Sequence, residues 1–238
     1  MKQMDELNMR QELKYFIRYS DRDLLKYRFT GLLQRDRNVG ANGEYKIRSL
    51  YFDDYWNSAY ETKLMGTQKR YKYRIRIYND SDTVINLERK LKHNNYTTKD
   101  KATLTKNEVY SILEGRYTFL RDNSQPLLRE FYYECVAKVL RPQVIVDYER
   151  EPFVFNPGDI RITFDRCIRA GNTSFDIFDK KLPTIETMAP GCLVMEVKFS
   201  GFLPKMIKKA LPTGASDYTS VSKYILCCDK RMDLYGIL

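Results

Sequence analysis

Between Arg70 and Lys92 hydrophobic and charged side chains alternate by parity. Arg70, Lys72, Arg74 and Arg76 fall on one parity, and Tyr71, Tyr73, Ile75 and Ile77 on the other. Successive side chains of a β-strand point to opposite faces, so this pattern predicts a strand that is apolar on one side and cationic on the other. The run NDSDT is a turn signal. A second alternation follows, with Ile85, Leu87 and Leu91 against Asn86, Glu88, Lys90 and Lys92. Together they predict an antiparallel hairpin with one apolar and one charged face.

The same half-polar alternation returns along the chain. A strand over Met9–Arg18 puts Arg10, Glu12 and Lys14 on one face and Leu13 and Tyr15 on the other. YKIRSLYFDD predicts a strand ending at Asp53 and Asp54, which are turn residues. Val144, Val146, Tyr148 and Arg150 alternate with Ile145, Asp147 and Glu149, and Pro152 is expected to end that strand. Ile160, Ile162 and Phe164 alternate with Arg161, Thr163 and Asp165. Val194, Glu196 and Lys198 face away from Met195, Val197 and Phe199.

Helical spacing is confined to shorter stretches. Leu24, Leu25, Phe29, Leu32 and Leu33 predict a helix of about four turns opened by Ser20 and Asp23. WNSAYETKLMG reads as a short helix or turn, and Thr105–Gly115 as a helix with a capping box at Thr105 and Glu108. Pro204 opens a helix through KMIKKAL, whose Lys205, Lys208 and Lys209 are a solvated face. The end of the chain is helical near SVSKYILCC. NVGANGE is a loop and Arg116–Gln125 a surface connection. Pro126–Val139 is open between helix and strand, and HNNYTTKDKATL between strand and solvated loop.

A single charged strand face is ordinarily a wet outer surface. Here several strands each carry basic residues on one parity, often beside one glutamate, while the opposite parity suits a covering of helices. If these charges point inward the sheet must close on itself. The fold class is then α+β, a closed antiparallel β-barrel with helices packed outside. No repeat, linker or composition break divides the chain, so residues 1–238 are expected to form one domain.

Composition points the same way. Lys and Arg total 41 against 31 Asp and Glu, a net charge of +10, which implies a polyanionic partner. Nineteen tyrosines and twelve phenylalanines favour strands. Five cysteines, an odd number without CxxC spacing, argue against a disulfide framework and for a reducing cytoplasm. Cys227 and Cys228 are read as structural and Trp56 as packing. One histidine, His93, excludes a multi-His metal site and makes His-based nucleophilic chemistry a poor fit. No apolar run is long enough to span a membrane, and the N-terminal stretch lacks a signal-peptide core. Nucleic acid is the weakest of the candidate partners and is not expected, because the aromatics lie opposite the charges and not among them.

A lumen of like charges is costly when empty. A phosphate chain satisfies it, since arginine grips phosphate bidentately and lysine adds point charge. Glutamates there make sense if they hold a divalent cation that bridges to phosphate.

E-x-K at Glu12 and Lys14, IRSLYFD, Y-x-x-K-x-x-G from Tyr60, KYRIRIY, LERK, Y-x-R from Tyr148, IRITFD, LVMEVKF, FLPKMIKKAL and SVSKY occur in this order. Each is weak alone; together, over about Arg10 to Tyr224, they resemble the VTC domain, the polyphosphate polymerase domain of the vacuolar transporter chaperone family. That family lies within the triphosphate tunnel metalloenzymes, related to the CYTH group. The resemblance implies transfer of the γ-phosphate of ATP to a growing polyphosphate chain. It implies phosphate contacts by Lys14, Arg74, Arg76, Lys90, Arg150, Arg161 and Lys223, and by Lys99 or Lys101. Lys72, Lys198 and Arg10, on the same strand faces, are further expected substrate contacts. Glu196 is the implied ligand for Mn²⁺ or Mg²⁺, with Glu12 and Glu88 in support. Arg10 stands where the CYTH signature E-x-E-x-K begins with glutamate, which argues against the triphosphatase and cyclase branches. Hydrolysis of triphosphates and non-catalytic polyphosphate binding are the competing readings. A soluble cytoplasmic protein is expected, with peripheral attachment at the inner face of a membrane through a separate membrane protein as the alternative.

Overall fold

The structure, a computed structural model, describes residues 11–37, 39–94, 96–212 and 220–236. Among these residues the strands are β1 (Gln11–Arg18), β2 (Gln34–Arg35), β3 (Tyr45–Asp53), β4 (Lys69–Tyr78), β5 (Ser81–His93), β6 (Tyr96–Thr103), β7 (Arg141–Phe155), β8 (Ile160–Gly171), β9 (Thr184–Glu186) and β10 (Cys192–Phe199). They form one antiparallel sheet in the order β1-β10-β8-β7-β3-β4-β5-β6, with β2 beside β7 and β9 beside β8. The helices are α1 (Tyr19–Phe29), α2 (Ser58–Leu64), α3 (Lys106–Leu113), α4 (Thr118–Arg121), α5 (Pro126–Ala137), α6 (Lys205–Ala210) and α7 (Lys223–Tyr235).

The organising hairpin is β4–β5. Asn79 and Asp80 turn it, both at φ 51°, and two left-handed residues give the turn whose twist matches the flanking strands. Cross-strand register then merges the separate polar parities into one face. Arg74 stands opposite Tyr51 and Glu88, Arg150 opposite Tyr45 and Asp165, and Glu196 opposite Lys14 and Thr163. Directly opposed residues point the same way, so these side chains share the concave face.

The convex face is apolar and helix-covered. Leu50, Phe52, Ile75, Ile77 and Leu87 lie under α3, α4 and α5 through Val109, Ile112, Leu120, Leu128 and Phe131. Ile162, Phe164, Met195 and Val197 lie under α1 and α6 through Leu25, Phe29 and Ile207. Burying each such side chain contributes about 1.5–3 kcal/mol, which offsets the cost of gathering charge on the other side.

Two expectations about architecture change. Helices do not all pack outside: α7 lies on the concave face, where Tyr224, Cys227 and Cys228 meet Val144, Val146 and Val194. That end of the inner face is apolar, so it takes a helix instead of an anion. Nor is the barrel closed by a ladder, for β1 and β6 end the sheet and no hydrogen-bonded pairing joins them among the described residues. The edges are bridged by side chains, with Lys90 Nζ on β5 2.9 Å from both carboxylate oxygens of Glu12 on β1.

Local differences have local causes. α1 stops at Phe29, before Thr30 and Gly31, and its first turn is capped by the Arg18 N–H donating to Asp21 at 2.8 Å, not by Ser20 and Asp23. β7 continues through Pro152, because β3 ends its pairing at Arg150 and β2 begins at Phe153, so the missing N–H falls between partners. HNNYTTKDKATL supplies β6, Pro126 opens α5, and the connection before it holds α4 with Leu120 fully buried. Trp56 is 76% exposed against Tyr55 and packs into no core. Asp53 ends β3 and Asp54 follows it; both carboxylates accept backbone N–H groups at the approach to and start of α2. Cys227 and Cys228 are buried, and Lys205, Lys208 and Lys209 are exposed. No helix among the described residues is long and apolar enough to cross a bilayer.

Candidate functional site

The concave face encloses an open cavity of about 1100 Å³, lined among others by Tyr45, Arg74, Arg76, Arg150, Arg161 and Lys198. It narrows to an inner chamber of about 60 Å³ walled by Lys14, Tyr51, Lys72, Glu196, Ser222 and Lys223. Arg74, Arg76, Lys90, Arg150 and Lys198 line both. The inner end abuts the start of α7: Lys14 Nζ donates to the Val221 carbonyl at 3.0 Å, and Lys72 Nζ to Ser222 Oγ at 3.3 Å.

Like charges lie side by side across the strands, Lys72 opposite Lys90 and Lys90 opposite Lys99. Carboxylates separate them. Glu12 takes Lys90 at 2.9 Å and Lys198 at 3.8 Å. Glu88 takes Arg74 at 2.6 Å, Lys99 at 3.0 Å and Arg76 at 3.8 Å. Glu196 takes Lys223 at 2.8 Å, Lys198 at 3.0 Å, Arg150 at 3.5 Å and Lys14 at 3.8 Å. Asp165, fully buried, holds Arg150 at 2.6 Å and Lys223 at 2.5 Å.

These contacts fix charge states. Burial alone would raise the Glu196 carboxyl, but Lys198, Lys223, Lys14 and Arg150 outweigh it and hold it well below the usual carboxylate range. Burial likewise opposes ionisation of Glu88, Glu12 and Asp165, and neighbouring cations reverse it in each. Lys223 is penalised by burial yet raised overall by Asp165 and Glu196.

Most residues expected from the sequence thus come together. Lys14, Lys72, Arg74, Arg76, Lys90, Arg150, Lys198 and Lys223 meet at the inner chamber. Arg161 and Lys99 line the outer cavity; Arg161 is also held by Asp36 and by the Tyr45 hydroxyl, each at 2.8 Å. Lys101 lines neither cavity and is exposed, so Lys99 is the one that reaches the site. Arg10 lies outside the described residues.

Glu12, Glu88 and Glu196 are not gathered into one metal cluster; among the described residues no group of three or more His, Cys, Asp or Glu is placed to hold an ion. Both oxygens of Glu196 already face cations. Mg²⁺ is commonly bound through one or two carboxylates plus substrate phosphates, and among the described residues Glu196 is a carboxylate of the inner chamber that could serve in such a set.

Sequence reasoning missed the phenols and Asp165. Arg74 Nη1 donates to Tyr51 Oη at 2.7 Å, Arg76 Nη2 to Tyr148 Oη at 3.4 Å and Arg76 Nε to Ser49 Oγ at 3.0 Å. Asp165 shares the parity of Arg161, which could have found it. Tyr45, Ser49 and Tyr51 were masked by Lys46 and Arg48, whose charges belong to the other face of β3.

The family model for the VTC domain matches residues 9–231. No curated protein matches the chain. Among solved structures, a Hippeastrum protein named as a candidate adenylyl cyclase, and described as having a dominant triphosphatase activity, superposes with TM-score 0.51 at 13% identity over 97% of this chain and 96% of that one. A candidate adenylate cyclase from Bacillus halodurans gives TM-score 0.49 at 13% identity, over 85% and 86% of the two chains.

Proposed function

The chain belongs to the VTC domain family, and from that premise we propose that it is a polyphosphate polymerase working in the concave chamber. The observation that supports this most is the chamber's composition: a surface rich in cations from Arg161 to Lys223, with carboxylates between them, lined by neither histidine nor cysteine. Phosphoryl transfer needs positioning and charge stabilisation more than a nucleophilic side chain, and that is what such a surface supplies. The Glu12–Lys90 bridge would complete the wall of a tunnel, with the whole domain serving one site.

In this reading Arg74, Arg76, Arg150, Arg161 and Lys198 hold the phosphates of ATP, and Lys14, Lys72, Lys90, Lys99 and Lys223 hold the chain being extended. A terminal phosphate oxygen of the chain attacks the γ-phosphorus, and the bond to the β-bridging oxygen breaks with its electrons leaving on ADP. Glu196 would hold a Mn²⁺ or Mg²⁺ arriving with the phosphates, which would offset their charge. Asp165 keeps Arg150 and Lys223 aimed inward. A place in the cytoplasm, and a separate membrane protein as recipient of the product, belong to the same reading and rest on the family.

Hydrolysis is the second reading, drawn from the triphosphatase activity described for the Hippeastrum protein. Incubation with ATP and Mn²⁺ separates the two. Long polyphosphate on a gel supports polymerase action; orthophosphate alone overturns it.

A further inference from the structure

Lys72 differs from every other cation of the inner chamber. Lys14, Arg74, Arg76, Lys90, Arg150, Lys198 and Lys223 each have a carboxylate no farther than 3.8 Å. Lys72 has no carboxylate partner among the described residues. Its Nζ sits 5.1 Å from the centroid of the Tyr51 ring and 5.5 Å from that of Tyr224, and it donates a hydrogen bond to Ser222 Oγ. The two rings stack at 5.1 Å, and Tyr224 is anchored by donating to Asp53 Oδ2 at 2.5 Å. The ammonium therefore rests on an aromatic shelf beside Lys14, Lys90 and Arg74, facing the chamber, with no counter-ion among the described residues.

We propose that Lys72, with Tyr51 beneath it, is a proton-coupled phosphate site: the pair takes up a proton as the anion enters the inner chamber. This rests on the reading that the chamber binds phosphate chains. An ammonium half-buried among cations, with no carboxylate beside it among the described residues, is held charged more firmly by an anionic ligand. Its ordinary value falls to about 7, through burial first and then Lys90, Lys14 and Arg74, with Tyr51 opposing. Burial would raise the Tyr51 hydroxyl, yet Arg74, Lys72 and Arg76 bring it down to about 7. Above neutrality the empty pair is thus short of its ordinary complement of protons. A phosphate chain reverses both effects, favouring the ammonium and the neutral phenol. Binding then consumes protons, and affinity falls by up to about tenfold per pH unit for each proton coupled above pH 7. The Coulombic neighbours facing the pair are Lys14, Lys90, Arg74 and Arg76.

Calorimetric titration of tripolyphosphate into the full chain near pH 8, in two buffers of different ionisation enthalpy, counts the protons exchanged. The ligand's own exchange is common to all variants. We expect net uptake by the wild type, most of it lost in Lys72→Arg, which keeps the charge but does not titrate, and a smaller loss in Tyr51→Phe. Lys72→Met serves if the arginine does not fit, and should also lose the uptake together with affinity. Binding with the same proton count in wild type and the Lys72 variants overturns the proposal and leaves phosphate binding standing. No binding by the wild type overturns both.

Discussion

On the proposed reading, Glu196 is the residue on which binding and turnover would divide. It neutralises Lys198, Lys223, Lys14 and Arg150, so Glu196→Gln releases cations toward phosphate while removing the carboxylate proposed to receive the metal. The expected result is triphosphate affinity retained or raised and turnover reduced on the order of 100-fold, read by calorimetry and by polymer formation in parallel. The site's carboxylates also set an acid limit. Glu12, Glu88, Asp165 and Glu196 all ionise below their unfolded values. Their stabilisation is therefore full above the ordinary carboxylate range and is lost as pH falls through the lower folded-state values. Circular dichroism should show stability declining below about pH 4, more shallowly in Glu88→Gln. Residues on the charged parity of a strand were legible in the sequence, because alternation assigns a face. Tyr51 was not, since a tyrosine carries no charge; Asp165 had its face assigned by the parity it shares with Arg161, but not which cations it clamps.

Among the elements, β3 shows how far alternation misleads. Its charged residues, Lys46 and Arg48, lie on the convex side, where Arg48 is 2% exposed and pairs with Asp147 at 3.0 Å. Arg48 also donates to the carbonyls of Ile177 and Asp179 at 3.2 and 2.5 Å, holding that loop to the sheet. Asp147→Ala takes a carboxylate from both Arg48 and Lys46 and leaves Arg48 with Asp80 at 3.5 Å, so it should cost about 3 kcal/mol in chemical denaturation. It should leave triphosphate affinity nearly unchanged, because the pair faces away from the chamber. The α3 cap is a smaller case. Thr105 and Glu108 exchange backbone and side-chain bonds, and Thr105→Ala should cost about 1 kcal/mol. That cap was readable from two residue types three apart. The place of α7 was not, because Val144 and Val146 share a parity with Arg150 and only the full curl of the sheet reveals where the inner face turns apolar.

At the scale of the molecule, the convex core and the concave chamber depend on each other. Apolar burial under α1 and α3 to α6 holds the sheet curved, and the curvature brings β1 within reach of β5, where Glu12 meets Lys90. The ordered motifs made the family legible; the gap in the ladder between β1 and β6 was invisible to them, since it depends on the spacing of two edges distant in sequence. The proposed function rests on those cations converging inward, where a phosphate chain would meet them. The most direct test is a crystal structure of the full chain with tripolyphosphate. The expected result is the anion inside the chamber, its oxygens held by Arg74, Arg76, Arg150, Lys198 and Lys223. An empty chamber, with the anion only on outer surface lysines such as Lys205, Lys208 and Lys209, would contradict it.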